Sequence, residues 1–260
     1  MKRYGVVGWP VQHSRSPAMH RAAFRSIGLD ATYDAIAIEP AALHEQLDAI
    51  GLDGFNVTLP HKVAVMDWVD EVDDEARAIG AVNTVVRADD RWMGTNTDAL
   101  GLRRALIESG VELEGRAIVL GAGGAARAAV RALAGMDVRI AARGLEAAAE
   151  LGEAVAWPEL AEAFGDATLV IQATSATMGD EAGEFAANLP LHALPEHATV
   201  CDLVYVPRAT TVLHRAEARG LRTVDGTGML VHQGAAAFEL WTGRKAPVEV
   251  MRGALLASLA

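Results

Sequence analysis

Apolar residues along the chain fall into short runs separated by breaks containing glycine and proline. Tyr4-Gly-Val-Val-Gly8 is an apolar run of strand length, stopped by Gly8-Trp9-Pro10. A loop follows, and Ser16-Pro17 then opens a helix, with Ser16 placed as N-cap, Pro17 as the first helical residue and Gly28 as the stop. Ala31 to Ile38 predicts a strand, Pro40 to Ile50 a helix stopped by Gly51, and Gly54 to Leu59 a strand again. Strands and helices alternating in this way predict a mostly parallel sheet with helices packed on it. Pro60 is expected to begin a further helix carrying His61 and Lys62 in its first turn, followed by an acidic helix from Glu71 to Ile79. Ala81 to Arg87 and Trp92 to Gly94, joined through Asp89-Asp90, read as a hairpin.

A second pattern begins where Asn96 or Thr97 can cap a helix from Asp98 to Ser109, ended by Gly110. The apolar run Ile118-Val-Leu enters Gly121-Ala122-Gly123-Gly124-Ala125-Ala126, and a helix from Ala125 to Leu133 leaves it. In a dinucleotide-binding turn Gly121 makes the tight bend, Gly123 lets a pyrophosphate approach the backbone, and Ala126 lets helix pack on strand. The helix start then offers N–H groups and the positive end of its dipole to phosphate. Taken alone, such a motif is as readily a plain turn. A strand from Asp137 to Ala142 follows within the roughly 30 residues of a βαβ unit and ends at Arg143. An acidic residue there would bind the ribose 2′-hydroxyl of NAD, whereas a guanidinium suits the 2′-phosphate of NADP. The competing reading is an arginine merely solvated at a strand end.

Beyond Arg143 the pattern predicts a helix near Leu145 to Leu151, a strand Thr168 to Ala173, a polar loop Thr174 to Asn188 and a strand Thr199 to Val204. A helix Thr211 to Arg219, a strand Leu221 to Val224 and two amphipathic helices, Met229 to Trp241 and Val248 to Leu259, complete the chain. No internal repeat is evident.

The chain of 260 residues, half of them hydrophobic, is long enough for two modest domains or one large one, and the net charge of −11 argues against nucleic acid or an anionic membrane as partner. Anionic ligands must therefore meet local arginines, lysines and N–H groups. The single cysteine, Cys201, excludes an internal disulfide and fits a reducing cytoplasm. The N-terminal apolar stretch is too short for a signal peptide, and no run reaches membrane-spanning length.

Ligands of open parallel sheets sit beyond the carboxyl ends of strands, which gives weight to polar residues there. Ser14 and Ser16 follow the first strand, Asn56, Thr58 and Lys62 the third, and Asn83-Thr84 and Asn96-Thr97-Asp98 flank the hairpin. These hydroxyls, amides, amine and carboxylate suit a small polyhydroxylated acid. Each has a plainer reading: Ser16 as a cap, Asn83 and Asn96 as turn residues, His13 and His61 as loop and surface histidines without metal spacing.

The residues that carry a family resemblance are Gly8-x-Pro10-x-x-His13-Ser14-x-Ser16-Pro17-x-x-His20, Asn56-Val-Thr-x-Pro60-x-Lys62, Ile79-Gly-Ala-Val-Asn83-Thr84 and Gly94-x-Asn96-Thr-Asp98. The glycine turn, Asp202-Leu-Val-Tyr205-x-Pro207 and Gly228-Met-Leu-x-x-Gln233-Gly234 extend it almost end to end. In these motifs and their order the chain resembles the shikimate dehydrogenase family. The resemblance implies an α/β fold of two domains: an N-terminal, mostly parallel αβα substrate domain, residues 1–98 with 229–260, and a Rossmann-type doubly wound NADP domain, residues 99–228. It implies substrate contacts at Ser14, Ser16, Asn56, Thr58, Lys62, Asn83, Asp98, Tyr205 and Gln233, with Lys62 and Asp98 the catalytic pair. Cofactor contacts are implied at Gly121, Ala122, Gly123, Gly124, Ala125, Ala142, Arg143, Leu203 and Gly226, and less firmly at Asp74. The implied reaction is NADPH-dependent reduction of 3-dehydroshikimate to shikimate, a step towards aromatic amino acids, without metal. A homodimer is compatible with it.

The chain also departs from the family pattern. The usual Asn-Arg-Thr reads Ala142-Arg143-Gly144, which puts the strictness of NADP preference in doubt, and the usual Asn-Ala-Thr-Ser begins with Gln172. A relative that prefers NAD or takes quinate stays open, as does a non-catalytic sensing module of the same fold. Ser14 with Ser16, Arg143, and the intact Lys62 and Asp98 favour the dehydrogenase in turn.

Overall fold

Hydrogen-bonded sheets collect the apolar runs into two groups in this computed structural model, which describes residues 1–178 and 183–260. Contacts among the described residues divide the chain into two units, Met1–Gly101 with Leu230–Ala260, and Leu102–Met229.

In the first unit the order is β1 (Lys2–Gly8), α1 (Ser16–Ser26), β2 (Ala31–Ala37), α2 (Leu43–Asp48), β3 (Gly54–Val57), β4 (Glu71–Val72), α3 (Asp74–Ile79), β5 (Thr84–Ala88) and β6 (Arg91–Thr95), after which α4 (Asp98–Glu108) begins. The strands lie as β2-β1-β3-β5-β6-β4. β1 pairs in parallel with β2 and β3, while β3 with β5 and β5 with β6 are antiparallel. Asp89 and Asp90 turn the β5–β6 hairpin with φ of 48° and 63°. Two left-handed residues are what a two-residue turn needs to match strand twist, and aspartate tolerates that region.

The second unit runs β7 (Arg116–Leu120), α5 (Gly124–Ala132), β8 (Asp137–Ala141), α6 (Leu145–Ala149), β9 (Glu153–Val155), α7 (Leu160–Phe164), β10 (Ala167–Gln172), α8 (Gly183–Asn188), β11 (Thr199–Asp202), α9 (Thr211–Ala218) and β12 (Arg222–Val224). All its pairings are parallel, in the order β12-β11-β10-β7-β8-β9. The chain winds outward from β7 to β9, returns beside β7 as β10, and winds outward the other way. That places the switch point of a doubly wound sheet between β7 and β10, where the crevice for a ligand forms.

From Leu230 the chain belongs to the first unit again, through α10 (Thr227–Thr242) and α11 (Val248–Leu259). Val231, Ala235 and Phe238 of α10 and Met251 and Leu255 of α11 share one core with Tyr4, Met19, Phe24 and Tyr33.

Several expected elements change. Ser16 does not cap α1: the helix already includes it, Arg15 precedes it, and the Ser14 hydroxyl accepts the Ser16 N–H at 3.3 Å. No α-helix starts at Pro60. After the cis Leu59–Pro60 bond the chain makes turns into a short 3-10 helix, Ala64–Asp67, because the Lys62 carbonyl is taken by the Val82 N–H at 2.8 Å rather than by a helical ladder. The stretch Glu71 to Ile79 splits, since β4 joins the sheet edge and the Asp73 carboxylate caps α3 by accepting the Ala76 N–H at 2.7 Å. Of the loop Thr174 to Asn188, residues 179–182 lie outside the described residues and Gly183–Asn188 is helical. The short β9 and α7 were not anticipated.

His20 of α1 is fully buried, its ring stacked on Tyr33 with centroids 4.3 Å apart and planes 4° apart. Neither ring nitrogen has a hydrogen-bond partner among the described residues, and burial pushes its pKa down to about 3. The unfolded chain binds a proton near pH 6.5. Between pH 6.5 and about 3 the unfolded state thus holds more protons, and stability falls as pH falls through that window, by up to ~1.4 kcal/mol per pH unit and on the order of 5 kcal/mol in all. His20→Leu should flatten this slope in urea titrations repeated from pH 7 to 4. An identical slope in both proteins would place the acid sensitivity elsewhere.

Candidate active site

The first unit brings Lys62, Asn83 and Asp98 together from separate segments: the turn after β3, the residue before β5 and the first residue of α4. The Lys62 ammonium lies 2.6 Å from Asp98 Oδ2, and both side chains are largely buried. Asn83 Nδ2 donates to Asp98 Oδ1 at 2.7 Å, so both carboxylate oxygens have donors. A buried charge without such partners costs several kcal/mol, which makes the pair and its amide interdependent. The Asn96 side chain accepts the Asp98 N–H at 2.9 Å and donates to the Ala81 carbonyl at 2.8 Å, fixing the start of α4.

Asn56 joins the cluster through its own amide, which donates to the Asn83 carbonyl and to Thr84 Oγ1 and accepts from the Tyr33 hydroxyl. Gln233 of α10 donates to the Leu230 carbonyl and brings Oε1 to 3.4 Å from Asn83 Nδ2. Thr58 is half-buried directly after β3, Ser14 is half-buried in the loop between β1 and α1, and Ser16 is buried at the start of α1. His61 is spent on the Ile38 carbonyl at 2.7 Å and His13 is exposed. Among the described residues, no group of three His, Cys, Asp or Glu side chains is placed to hold a metal. No helix among them is long and apolar enough to cross a membrane.

In the second unit the glycine turn leaves β7 at the switch point. Gly121 has φ +117° and its N–H donates to the Ala141 carbonyl at the end of β8. Gly123 precedes α5 without any side-chain cap, and a Cβ built there meets nothing within 4 Å. An open cradle of backbone N–H groups at a nine-residue helix is the arrangement that receives phosphate. Ala126 is fully buried against the sheet. Ala142 is half-buried, and the exposed Arg143 has no hydrogen-bond or ion-pair partner among the described residues. Asp74, in the first unit, is exposed at the start of α3.

Leu203 and Tyr205 lie half-buried beyond β11, and Gly226 closes on them: a Cβ there would fall 2.3 Å from the Leu203 carbonyl oxygen. Sequence reasoning missed what holds this loop. Asp202, fully buried, accepts from Val204 N–H, Thr177 and Gln172 through Oδ1 and from the Thr210 hydroxyl through Oδ2. Burial pushes its pKa up, against the opposing pull of these donors. Gln172 also folds the segment after β10, donating to Thr177 and accepting the Thr174 N–H. A charged residue closing an otherwise apolar strand was the signal available.

A doubly wound parallel sheet with an uncapped glycine turn at its switch point defines an α/β dinucleotide-binding class. Residues 6–85 match the family model described as shikimate dehydrogenase substrate binding domain, and residues 226–256 match that of the shikimate 5'-dehydrogenase C-terminal domain. The chain is 46% identical to the NADP(+) shikimate dehydrogenase of Natronomonas pharaonis, with all of both chains covered, and 42% identical to that of Shouchella clausii over 94% of each. Its fold matches the shikimate 5-dehydrogenase of Thermus thermophilus, solved with NADP(H) and shikimate, with TM-score 0.90 and 40% identity over the whole of both chains. The chain belongs to the shikimate dehydrogenase family.

Asp202→Ala should destabilise the second unit by about 3 kcal/mol, because it leaves a buried N–H and two hydroxyls without their acceptor. Urea unfolding followed by circular dichroism measures this, and a loss under about 0.5 kcal/mol would mean that water replaces the carboxylate.

Proposed function

We propose that this protein catalyses the reversible NADP-dependent reduction of 3-dehydroshikimate to shikimate. The observation that carries the reading is the buried Lys62–Asp98 pair at 2.6 Å, set among side-chain amides and hydroxyls. The relatives' names, and the NADP(H) and shikimate in the Thermus thermophilus structure, support the substrate and cofactor. On this reading residues 1–98 with 229–260 serve the substrate and residues 99–228 the cofactor.

The cofactor fits the residues present. The open turn at Gly121 to Ala125 would take the pyrophosphate, and the exposed Arg143 would take the 2′-phosphate. Bound there, NADPH supplies the hydride. The carbonyl oxygen of the substrate then needs one proton as its carbon is reduced, and the Lys62 ammonium donates it. In the reverse direction the Lys62 amine takes the proton from the hydroxyl. Asp98 orients the ammonium and accepts from a substrate hydroxyl. Asn56, Thr58, Asn83 and Gln233 meet the ring hydroxyls, while Ser14 and Ser16 meet the carboxylate. The single, buried Cys201 fits work in the cytoplasm, and sedimentation equilibrium decides whether the enzyme is a homodimer.

Absorbance of the reduced nicotinamide, followed with shikimate or quinate against NADP or NAD, tests the reading. Turnover of shikimate with NADP is expected to dominate; turnover confined to quinate with NAD would overturn it. Lys62→Ala should lower kcat by about 10² to 10⁴ with KM for shikimate nearly unchanged, since the proton transfer matters only in the transition state. Retention of kcat with loss of affinity would make Lys62 a binding residue.

Arg143→Ala should weaken NADP by about 1.5 to 3 kcal/mol, roughly 10- to 150-fold, and leave NAD nearly unaffected. Fluorescence titrations of both reduced cofactors measure this. Equal losses for the two would mean that the guanidinium contacts a part they share.

A further inference from the structure

We infer that Thr84 and Tyr33 are positioning residues that aim Asp98 at Lys62; the inference rests on the proposed role of that pair. Tyr33 and Thr84 are fully buried, and a continuous line of hydrogen bonds joins them to the carboxylate. The Tyr33 hydroxyl donates to Asn56 Oδ1 at 2.6 Å, Asn56 Nδ2 donates to Thr84 Oγ1 at 3.0 Å, Thr84 Oγ1 donates to Asn83 Oδ1 at 2.9 Å, and Asn83 Nδ2 donates to Asp98 Oδ1 at 2.7 Å.

Backbone groups fix the orientation of both amides. The Asn83 carbonyl accepts from Asn56 Nδ2 at 3.2 Å, so a flipped Asn56 amide would set oxygen against oxygen. Asn56 Oδ1 therefore faces Tyr33, which must donate. The Thr97 N–H donates to Asn83 Oδ1 at 2.8 Å, so Asn83 Nδ2 must face Asp98. Thr84 Oγ1 accepts from Asn56 and has two acceptors within reach for its own hydrogen, Asn83 Oδ1 at 2.9 Å and Thr97 Oγ1 at 3.2 Å; the nearer, Asn83, continues the line. Along this line the donors run towards the carboxylate. Linked bonds of one sense polarise each other, and a fully satisfied buried network holds one geometry. With Oδ1 held in this way, Oδ2 is left for the Lys62 ammonium.

Thr84→Val keeps the shape of the side chain and removes the link. In the shikimate and NADP assay, kcat should fall about tenfold, KM for shikimate should stay within about twofold, and the solvent deuterium isotope effect on kcat should rise as proton donation becomes more limiting. Thr84→Ser, which keeps the hydroxyl, should return kcat to within about twofold of the parent protein. Tyr33→Phe, one link further away, should lower kcat about threefold with the same sparing of KM. An unchanged kcat in Thr84→Val, or equal damage in Thr84→Ser, overturns the inference. If Thr84→Val does not fold, Tyr33→Phe decides: an unchanged kcat and isotope effect overturn the inference. Lack of shikimate turnover by the parent protein would instead defeat the proposed function, which separates the two failures.

Discussion

Asp98 is 4% exposed, and a carboxylate so placed must find its counter-charge and donors within the protein. That need organises the first unit. Lys62 must arrive from the turn after β3, which explains why the segment leaves helical geometry and gives the Lys62 carbonyl to Val82. Asn83 must stand where one amide reaches Asp98 while its own oxygen receives Thr97 and Thr84. Removing any one partner exposes the others to the full cost of a buried unpaired group.

The second unit solves a similar problem differently. Asp202 is also buried, yet its donors are hydroxyls, an amide and a backbone N–H, with no cation among them. Burial therefore raises its pKa, and the carboxylate serves as a clamp between the ends of β10, β11 and α9. Asp98 is balanced by a cation, whereas Asp202 is held by neutral donors alone. The two sites differ in chemical capacity because of that choice of partners.

Much of this was legible in the sequence because glycine and proline punctuate it. Gly28, Gly51, Gly110 and Gly121 all take positive φ where a helix or strand was read to stop, and the Asp89-Asp90 hairpin formed as its residues require. Short elements were the blind spot. β9 has three residues and α7 five, too few for either periodicity to register. The helix expected at Pro60 failed because a long-range bond to Val82 outweighed a local signal, and Ser16 lost its cap role because the helix started one residue earlier. At the site, residue types in motifs pointed to Lys62, Asn83 and Asp98, whereas Tyr33 and Asp202 depend on partners far away in sequence.

The geometry of the polar cluster around Asp98 also depends on α10. Trp241 of α10 donates from Nε1 to the Val85 carbonyl at 3.0 Å, and its ring occupies the space over Gly54, where a Cβ would lie 2.6 Å from it. Gly54 begins β3 and Val85 lies in β5, so the indole braces the antiparallel pair that leads to Asn56 and Asn83. The same ring stacks on Tyr4 at 5.1 Å and lies near His20 and Tyr33. Glycine at position 54 is therefore a packing requirement rather than a turn requirement, because the strand must let an aromatic ring approach its backbone. Burial of that ring links the helix supplying Gln233 to the strands supplying the amides, and the hydrophobic term that folds the last helices onto the first strand also holds the polar cluster in register.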